Sequence, residues 1–325
     1  MHIYTTSQRK FLDKIRHARY IDGDVPYHIM SKTLRGEFFL HPNPKVNRIL
    51  AGVVGRAQKR WDKIRLYAYA FMSNHFHLLL QGDAKEVSSF VGFVKREASR
   101  RIGQLYNSRG TMWHKRFSST AVPTAQSQLD CFRYILSQSV KEGLVGRPQS
   151  WPGLHCAKQL LTGRSPEGAW FRGTAYGKEK ARPNRKKKLR RADYYVPESI
   201  ELSPLPAWKN KDAKECYRKT LELIESIIEQ AAKERKMTGR KLLGVKRIQK
   251  TKPTERKEPE VPPWYEDRRR CLVAWASPRN RKVRAYLDSY WAFQKAFSEA
   301  SEAFRNGNND AAFPKGSARP STWAH

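Results

Sequence analysis

Cysteine and long apolar runs are both scarce in this chain of 325 residues. It has four cysteines, spaced 25, 60 and 55 residues apart: Cys131, Cys156, Cys216 and Cys271. The absence of a CxxC pair excludes a zinc ribbon, and a few scattered thiols are typical of a reduced, intracellular protein. No apolar run approaches the roughly 18 residues that span a bilayer, and the N-terminus lacks the apolar core of a signal peptide. The sequence therefore predicts a cytoplasmic protein with no membrane partner.

Acidic residues are also few, and the resulting charge is the strongest signal in the composition. Asp and Glu number 30 against 64 Lys and Arg, which leaves a net charge of +34 and a pI of about 10.3. A surplus of this size suits a polyanionic partner, and nucleic acid is the first candidate. We therefore expect a nucleoid-associated protein. Charge alone does not separate an enzyme from a ribosomal or chromatin-like protein that has no chemistry of its own.

Changes in composition divide the chain into four regions. They are a flexible basic arm at 1–24, a folded domain at 25–156, a basic linker at 157–205, and a helical C-terminal extension with disordered segments at 206–325. The linker contains nine Lys or Arg against one acid in 178–191. In the extension, helical patterns at 211–236 and 283–305 flank a stretch rich in Lys, Glu and Pro at 249–263, which we expect to be unstructured.

Hydrophobic periodicity predicts the elements of the folded domain. Strands are predicted at 25–32, 64–72, 75–81 and 113–122, and helices at 44–61, 87–105 and 126–142. The resulting order is β-α-β-β-α-β-α. Two strand–helix–strand halves around a central antiparallel pair describe an α+β, ferredoxin-like antiparallel sheet with helices on one or both faces. About 150 residues is a natural size for one such domain.

Two histidines on a predicted strand form the first candidate site. His75 and His77 are two apart, so on a strand they point to the same face, while Phe76 between them points to the other. Two imidazoles placed in this way can bind one metal ion. A lone His-x-His pair is more often two surface histidines, so this motif needs support from elsewhere in the chain.

A tyrosine and a glutamine on a predicted helix form the second candidate site. Tyr134 and Gln138 are four apart and therefore share one helix face. A phenol is a poor nucleophile until its proton is removed, but a metal that polarises the attacked phosphate reduces that demand. The Gln138 carbonyl could complete a His-His-Gln ligand set suited to Mg²⁺ or Mn²⁺. Taken alone, Tyr134 is more often a packed core tyrosine.

Basic and aromatic residues between these motifs form a candidate DNA-binding surface. Arginines and lysines contact phosphates, and aromatic faces stack unpaired bases. The candidates are Lys95, Arg96, Arg100, Arg109, Trp113, Lys115 and Arg116. The alternative is a solvated helix face beside a core tryptophan.

Three stretches of the folded domain carry a family resemblance. They are 67–80, which contains both histidines; 109–117, Arg-Gly-Thr-Met-Trp-His-Lys-Arg-Phe; and 134–145, which begins at the tyrosine and ends in Val-Lys-Glu-Gly-Leu-Val. In this order and spacing they resemble the single-tyrosine HUH transposases, especially the REP-associated tyrosine transposases and their insertion-sequence relatives. The resemblance covers residues 25–156 and is looser beyond.

The resemblance implies an HUH-endonuclease fold and a strand-transfer chemistry. Tyr134 is then the catalytic nucleophile, and His75, His77 and Gln138 are the ligands of a divalent metal, Mg²⁺ or Mn²⁺. The implied substrate is single-stranded or hairpin DNA, which is cleaved and rejoined through a 5′-phosphotyrosine intermediate. One position departs from the REP-associated pattern: Asn-Pro is usual there, and this chain has Gln138-Ser139. Glutamine is the residue that the insertion-sequence relatives use.

Other functions remain open at this stage. A catalytically inactive descendant could bind DNA or RNA hairpins without cutting them. A plasmid replication initiator or relaxase uses the same chemistry in a larger protein, and a zinc-dependent nuclease would need a further His, Asp or Glu ligand. The sequence also leaves open a homodimer and whether Tyr134 acts in cis or across a dimer.

Overall fold

A computed structural model describes most of the chain. The described residues are 18–183, 188–253, 274–275 and 280–317. Most of the predicted arm at 1–24, the centre of the basic run at 184–187, and most of the stretch predicted to be unstructured at 249–263 lie outside the described residues.

A four-stranded antiparallel sheet forms the centre of the folded domain. Its strands are β1 (Tyr27–Lys32), β2 (Arg65–Phe71), β3 (His75–Gln81) and β4 (Ser118–Ala121). They lie in the order β2-β3-β1-β4, with every neighbouring pair antiparallel. Helix α1 (Pro44–Arg60) joins β1 to β2, and helix α2 (Ala84–Leu105) joins β3 to β4. This order and connectivity confirm the predicted α+β, ferredoxin-like sheet.

The fourth strand is shorter than the sequence predicts. Alternation predicts a strand over 113–122, whereas only Ser118–Ala121 pairs along β1. Trp113 makes one isolated bridge to Thr33, and its indole N–H donates to the Lys95 carbonyl oxygen at 2.9 Å. Burial of this side chain fixes the segment before β4 against α2 instead of extending the strand.

Helix α3 (Ala125–Lys141) follows β4 and packs across β2 and β3. Thr124 caps it by a reciprocal arrangement: its hydroxyl accepts from the Ser127 N–H, and the Ser127 hydroxyl accepts from the Thr124 N–H, each at 3.0 Å. Such a capping box satisfies two backbone donors that a helix start leaves unpaired. Gly143, with φ of 68°, ends the helix in the left-handed conformation that glycine adopts freely.

The remaining described elements follow α3 in the second half of the chain. They are α4 (Cys156–Thr162), β5 (Gly168–Phe171), α5 (Gly173–Lys180), β6 (Tyr195–Glu198), α6 (Ala213–Thr238), α7 (Val245–Lys250) and α8 (Arg281–Arg305). Helices α6 and α8 correspond to the two predicted helices of the extension. Among the described residues, every helix is too short or too polar to cross a membrane.

The region expected to be a linker contains a packed hairpin. Strands β5 and β6 pair antiparallel and lie against α1. The side chain of Glu198 is fully buried and pairs with Lys59 at 2.8 Å and Arg56 at 3.5 Å. Two short strands separated by a basic run carry too little periodicity to be detected by composition, so the expectation of a linker over 157–205 is wrong for these residues.

Both ends of the described chain meet on the folded domain. Gln294 of α8 accepts from the Ala18 N–H at 3.1 Å and donates to the Ala18 carbonyl oxygen at 2.7 Å. The Tyr27 hydroxyl of β1 donates to the Tyr286 hydroxyl of α8 at 3.2 Å. Helix α8 therefore packs on the first strand of the sheet. The side chains in contact are far apart in sequence, so local sequence patterns do not predict this packing.

Gly52 is expected to be essential for the contact between α1 and the hairpin. A Cβ atom at this position would lie 2.3 Å from the Ala169 carbonyl oxygen. The substitution Gly52→Ala would therefore push the backbone of α1 away from that of β5. We expect a loss of about 1–3 kcal/mol in the free energy of unfolding, measured by urea denaturation. Gly92→Ala in α2 is the matched control, because a Cβ there meets nothing within 4 Å and alanine favours a helix by roughly 0.5–1 kcal/mol. Equal stabilities of the two variants would contradict the close packing.

Candidate active site

One face of the sheet collects the polar residues of β1 and β3. In the antiparallel register, Lys32 lies opposite His75 and Met30 lies opposite His77. Because side chains alternate along a strand, these residues share a face, whereas Phe76 points to the other side and packs on Trp113 with ring centroids 5.4 Å apart. The two histidines therefore project together, with their ring centroids 4.9 Å apart.

Helix α3 places Tyr134 on this same face. The Tyr134 ring meets the His77 ring edge-on, with centroids 5.5 Å apart. Gln138 lies one turn further along, and its side-chain amide donates to the Tyr134 carbonyl oxygen at 3.1 Å. Tyr134 is half-buried and Gln138 is buried. Side chains predicted from two separate motifs thus converge on one face of the sheet.

His28 is a further member of the site that the sequence does not reveal. Its imidazole stacks on His77 with centroids 5.0 Å apart, and its Nε2 lies 2.9 Å from His77 Nδ1, within hydrogen-bonding distance. It also meets the Tyr134 ring at 5.8 Å. Only the register of β1 on β3 shows that this residue, 49 positions from His77, shares the face. The alternation of side chains along β1 places His28 on one face of that strand. Only the pairing of β1 with β3 shows that this is also the face of His77.

Burial keeps these imidazoles neutral. Desolvation lowers the pKa of His28 to about 4. The pKa of His77 lies well below its ordinary value, first because of burial and then because of the nearby charges of His75, His28 and Lys32, while the Gln138 side chain opposes the shift. Neutral imidazole is the form that binds metal, since its lone pair is not occupied by a proton.

The hydrogen bonds of the histidines suit a metal on their Nε2 atoms. His75 Nδ1 lies 2.7 Å from Asn74 Oδ1, so Nδ1–H donates there and leaves the lone pair on Nε2. Donation from His77 Nδ1–H to His28 Nε2 has the same effect on His77, whose Nε2 is buried and makes no hydrogen bond. Such partners fix the tautomer and ring orientation of metal-binding histidines.

The third ligand would have to be an amide. Within the described part of the chain, no three His, Cys, Asp or Glu side chains are grouped to hold a metal ion. Gln138 is close enough to His77 to influence its pKa, and its amide nitrogen is already bonded to Tyr134, which leaves its carbonyl oxygen as the ligand atom. The residues present therefore fit a His-His-Gln site for a hard divalent cation.

The outer side of α3 is held by the C-terminal extension. Arg133, next to Tyr134 in sequence, donates to Ser226 Oγ at 2.8 Å and to Gln230 Oε1 at 2.7 Å, both on α6. Beyond the helix end, the N–H groups of Leu243 and Gly244 donate to carbonyl oxygens of residues 143 and 144. The helix that carries Tyr134 is thus enclosed by the sheet on one side and by α6 on the other.

The predicted DNA-binding residues fall into two groups. Arg96, Arg109, Lys115 and Arg116 are exposed. Two of the α2 cations make local contacts: Lys95 Nζ donates to the Lys115 carbonyl oxygen at 2.8 Å, and Arg100, which is also exposed, pairs with Glu97 at 2.7 Å. Helix α2 adjoins Trp113 and Phe76, on the face of the sheet opposite to Tyr134. The structure does not bring the α2 cations to the candidate site.

Trp113 is not available for base stacking. Its side chain is buried, with an exposure of 9%, and packs edge-on against Phe76 with its N–H bonded to α2. The prediction that it contributes an aromatic face to DNA is therefore wrong, because a large apolar ring next to the sheet gains more from the core than from solvent.

Two lysines that the sequence does not single out lie beside the candidate site. Lys141 Nζ is 5.6 Å from the Tyr134 ring centroid, and Lys32 is close enough to His77 to lower its pKa. Both side chains are exposed. Lys141 is two helical turns beyond Tyr134, so helical spacing predicts that the two residues share a face. Lys32 becomes visible only through its register opposite His75.

Comparison with known proteins identifies the domain that holds this site. Residues 24–138 match the family model described as "Transposase IS200 like". This part of the chain is therefore similar in sequence to the IS200-like transposases. The match includes both histidines, Tyr134 and Gln138, and it ends at the glutamine. No curated protein sequence matches the chain.

Two solved structures are similar to parts of the chain. One is a REP-associated tyrosine transposase bound to a REP hairpin, which is 18% identical in sequence. The matched region covers 47% of this chain and 88% of the transposase chain, with a TM-score of 0.38. A protein from Deinococcus radiodurans R1 described as a transposase is 20% identical, covers 38% and 96%, and has a TM-score of 0.26.

The buried histidines are expected to make stability depend on pH. His155, at the start of α4, resembles His28 in that burial lowers its pKa to about 4. The unfolded chain takes up protons near the ordinary pKa of about 6.5, so between about 6.5 and 4 it binds more protons than the folded chain. As the pH is lowered through this window, the free energy of unfolding should therefore decrease by about 1.4 kcal/mol per pH unit for each such histidine. Urea denaturation across this window measures the slope.

His155→Asn isolates one histidine of this set. His155 Nδ1 accepts from the Ala157 N–H at 3.0 Å as the helix cap, and asparagine is an equally good cap. We expect the slope of the free energy of unfolding against pH to decrease in this variant by the contribution of one histidine, about 1.4 kcal/mol per pH unit. An unchanged slope would show that His155 is not held neutral.

Proposed function

We propose that this protein is a metal-dependent single-stranded DNA endonuclease and strand transferase in which Tyr134 is the nucleophile. The observation that supports it best is the convergence of Tyr134, His77, His75 and Gln138 on one face of the sheet. Within this group, His77 Nε2 is buried and makes no hydrogen bond, which leaves its lone pair for a metal ion. The IS200-like family match of residues 24–138 supports the same conclusion.

The proposed reaction exchanges one phosphodiester for another. The Tyr134 hydroxyl attacks the scissile phosphorus, the bond from phosphorus to the 3′ oxygen breaks, and a 5′-phosphotyrosine and a free 3′-OH result. The phenol gives up its proton and the departing 3′ oxygen takes one up. Attack by a second 3′-OH on the phosphotyrosine reverses these changes and joins two strands. No nucleoside triphosphate is needed, because the phosphotyrosine bond retains the free energy of the phosphodiester.

Each residue of the site has a defined task in this scheme. His75, His77 and Gln138 would hold Mg²⁺ or Mn²⁺, which polarises the phosphate and stabilises its developing charge. His28 orients His77, and Asn74 orients His75. Lys32 and Lys141 provide positive charge beside the nucleophile for the DNA backbone. Because Tyr134 meets His77 of its own chain, we propose that cleavage occurs in cis.

Tyr134→Phe is expected to abolish cleavage and leave DNA binding unchanged, because it removes one hydroxyl and preserves the ring packing. The measurement is the amount of covalent protein–DNA adduct formed with a labelled single-stranded oligonucleotide and Mn²⁺. Tyr217→Phe, at an exposed tyrosine of α6, is the matched control. Parallel assays with and without a hairpin in the oligonucleotide test the preference implied by the resemblance to REP-associated transposases.

The outcomes of this experiment separate the proposal from its alternative. Adduct formation by Tyr134→Phe would assign the chemistry to another residue. Binding of the oligonucleotide by the unaltered protein, without any adduct, would favour a catalytically inactive binding protein.

Metal binding is expected to depend on both the ligand and its orienting partner. His77→Ala should remove measurable Mn²⁺ binding, and His28→Phe should weaken it by about 10- to 100-fold, because loss of an orienting hydrogen bond has an effect of this size. Electron paramagnetic resonance of free Mn²⁺ measures the affinity without DNA. The control is His114→Ala, at an exposed histidine. Unaltered Mn²⁺ binding by His77→Ala would rule out this ligand set.

A further inference from the structure

The C-terminal half of the chain places a tryptophan against the proposed nucleophile. The ring centroid of Trp275 lies 5.1 Å from that of Tyr134, with the planes tilted by 59°. It also lies 5.1 Å from the His28 ring, edge-on at 88°. Trp275 is outside residues 24–138, which match the transposase family, so the family match assigns it no role.

Backbone pairing holds Trp275 in this position. Its N–H donates to the Ala121 carbonyl oxygen at 2.7 Å, and the preceding residue, Ala274, forms a parallel bridge with Ala121. Strand β4 is at the edge of the four-stranded sheet, so this contact uses backbone groups that the sheet leaves unpaired. The placement therefore does not depend on the indole itself, and the side chain can be changed without removing these backbone bonds.

The contacts of the Tyr134 ring suggest what the indole does. The ring meets His77, His28 and Trp275, and the helix that carries it is fixed from behind by Arg133. In-line attack requires the phenol oxygen to be held in one place, and an error of about 1 Å can lower a rate by about 100-fold. His28 and His77 contact the ring from the sheet, while Trp275 contacts it from beyond the edge strand.

We propose that Trp275 is a positioning residue that completes the active site from the C-terminal extension by holding the Tyr134 ring against His77. The indole does not touch the reacting phosphate in this scheme. It restricts the ring, so its loss affects the rate of attack rather than the affinity for DNA. This inference rests on the proposed function of Tyr134, and the experiment includes a measurement that does not require catalysis.

Three variants test the role of the indole. Trp275→Ala removes it, Trp275→Phe restores an aromatic ring, and Trp291→Ala removes another tryptophan of the extension, which contacts Tyr290 on α8. The readouts are the oligonucleotide affinity, the rate of covalent adduct formation at saturating DNA, and the thermal midpoint. Nitration of Tyr134 by tetranitromethane without DNA, followed by peptide mass spectrometry, reports the exposure of the ring directly.

The expected pattern is a change in rate without a change in binding. Trp275→Ala should form the adduct about 10- to 100-fold more slowly, bind DNA within about twofold of the unaltered protein, and show several-fold faster nitration of Tyr134. Trp275→Phe should recover most of the rate. Trp291→Ala should match the unaltered protein in adduct rate and in Tyr134 nitration.

Several results would overturn the proposal. An adduct rate that is unchanged or higher in Trp275→Ala would show that the indole does not position the tyrosine. A loss of DNA affinity with an unchanged rate at saturation would identify Trp275 as a base-stacking surface instead. Should Trp275→Ala unfold at the assay temperature, Trp275→Leu replaces it, because leucine keeps apolar bulk without an aromatic ring; an unaltered rate and unaltered nitration in Trp275→Leu would count against the proposal. Absence of any adduct from the unaltered protein would refute the proposed function, while nitration would still test the contact between the two rings.

Discussion

The antiparallel pairing of β1 with β3 is the constraint on which the rest of the site depends. In its register, Lys32, Met30 and His28 share a face with His75, His77 and Leu79. A shift of one residue would turn every side chain of a strand to the other face, which would turn the imidazoles towards α2 and Phe76 towards α3. The apolar residues on the other face therefore hold the register, and the register in turn aligns the histidines. Core packing and site geometry are consequences of the same pairing.

The second requirement is a helix that crosses this face and stays there. Helix α3 has a capping box at its start and a left-handed glycine after its end, and its outer side is bonded to α6 through Arg133. Trp275 reaches the same helix from the edge of β4. The C-terminal extension and the folded domain therefore share one packing arrangement around Tyr134.

The buried histidines show a conflict between stability and chemistry. Burial makes protonation of His28 and His77 unfavourable, and His77 Nε2 forms no hydrogen bond although it is shielded from water. In a purely structural protein such a group only weakens the fold. In a metal site it is a ligand held ready in the correct tautomer, which explains why an otherwise unfavourable arrangement is compatible with function. The remaining polar neighbours, Asn74 and Gln138, are already oriented by hydrogen bonds.

The sequence by itself determined the β-α-β-β-α-β-α order, because hydrophobic alternation and helical spacing are local properties of the chain. It also indicated His75 with His77 and Tyr134 with Gln138, since each pair is defined by the geometry of a single element. Only the tertiary structure decided that these pairs meet, that His28, Lys32 and Trp275 join them, and that Trp113 belongs to the core. Contacts between residues far apart in sequence depend on strand register and on the packing of whole elements, and neither is encoded in any local pattern. The β5–β6 hairpin escaped detection for the same reason, because its stability comes from α1 and from the buried Glu198.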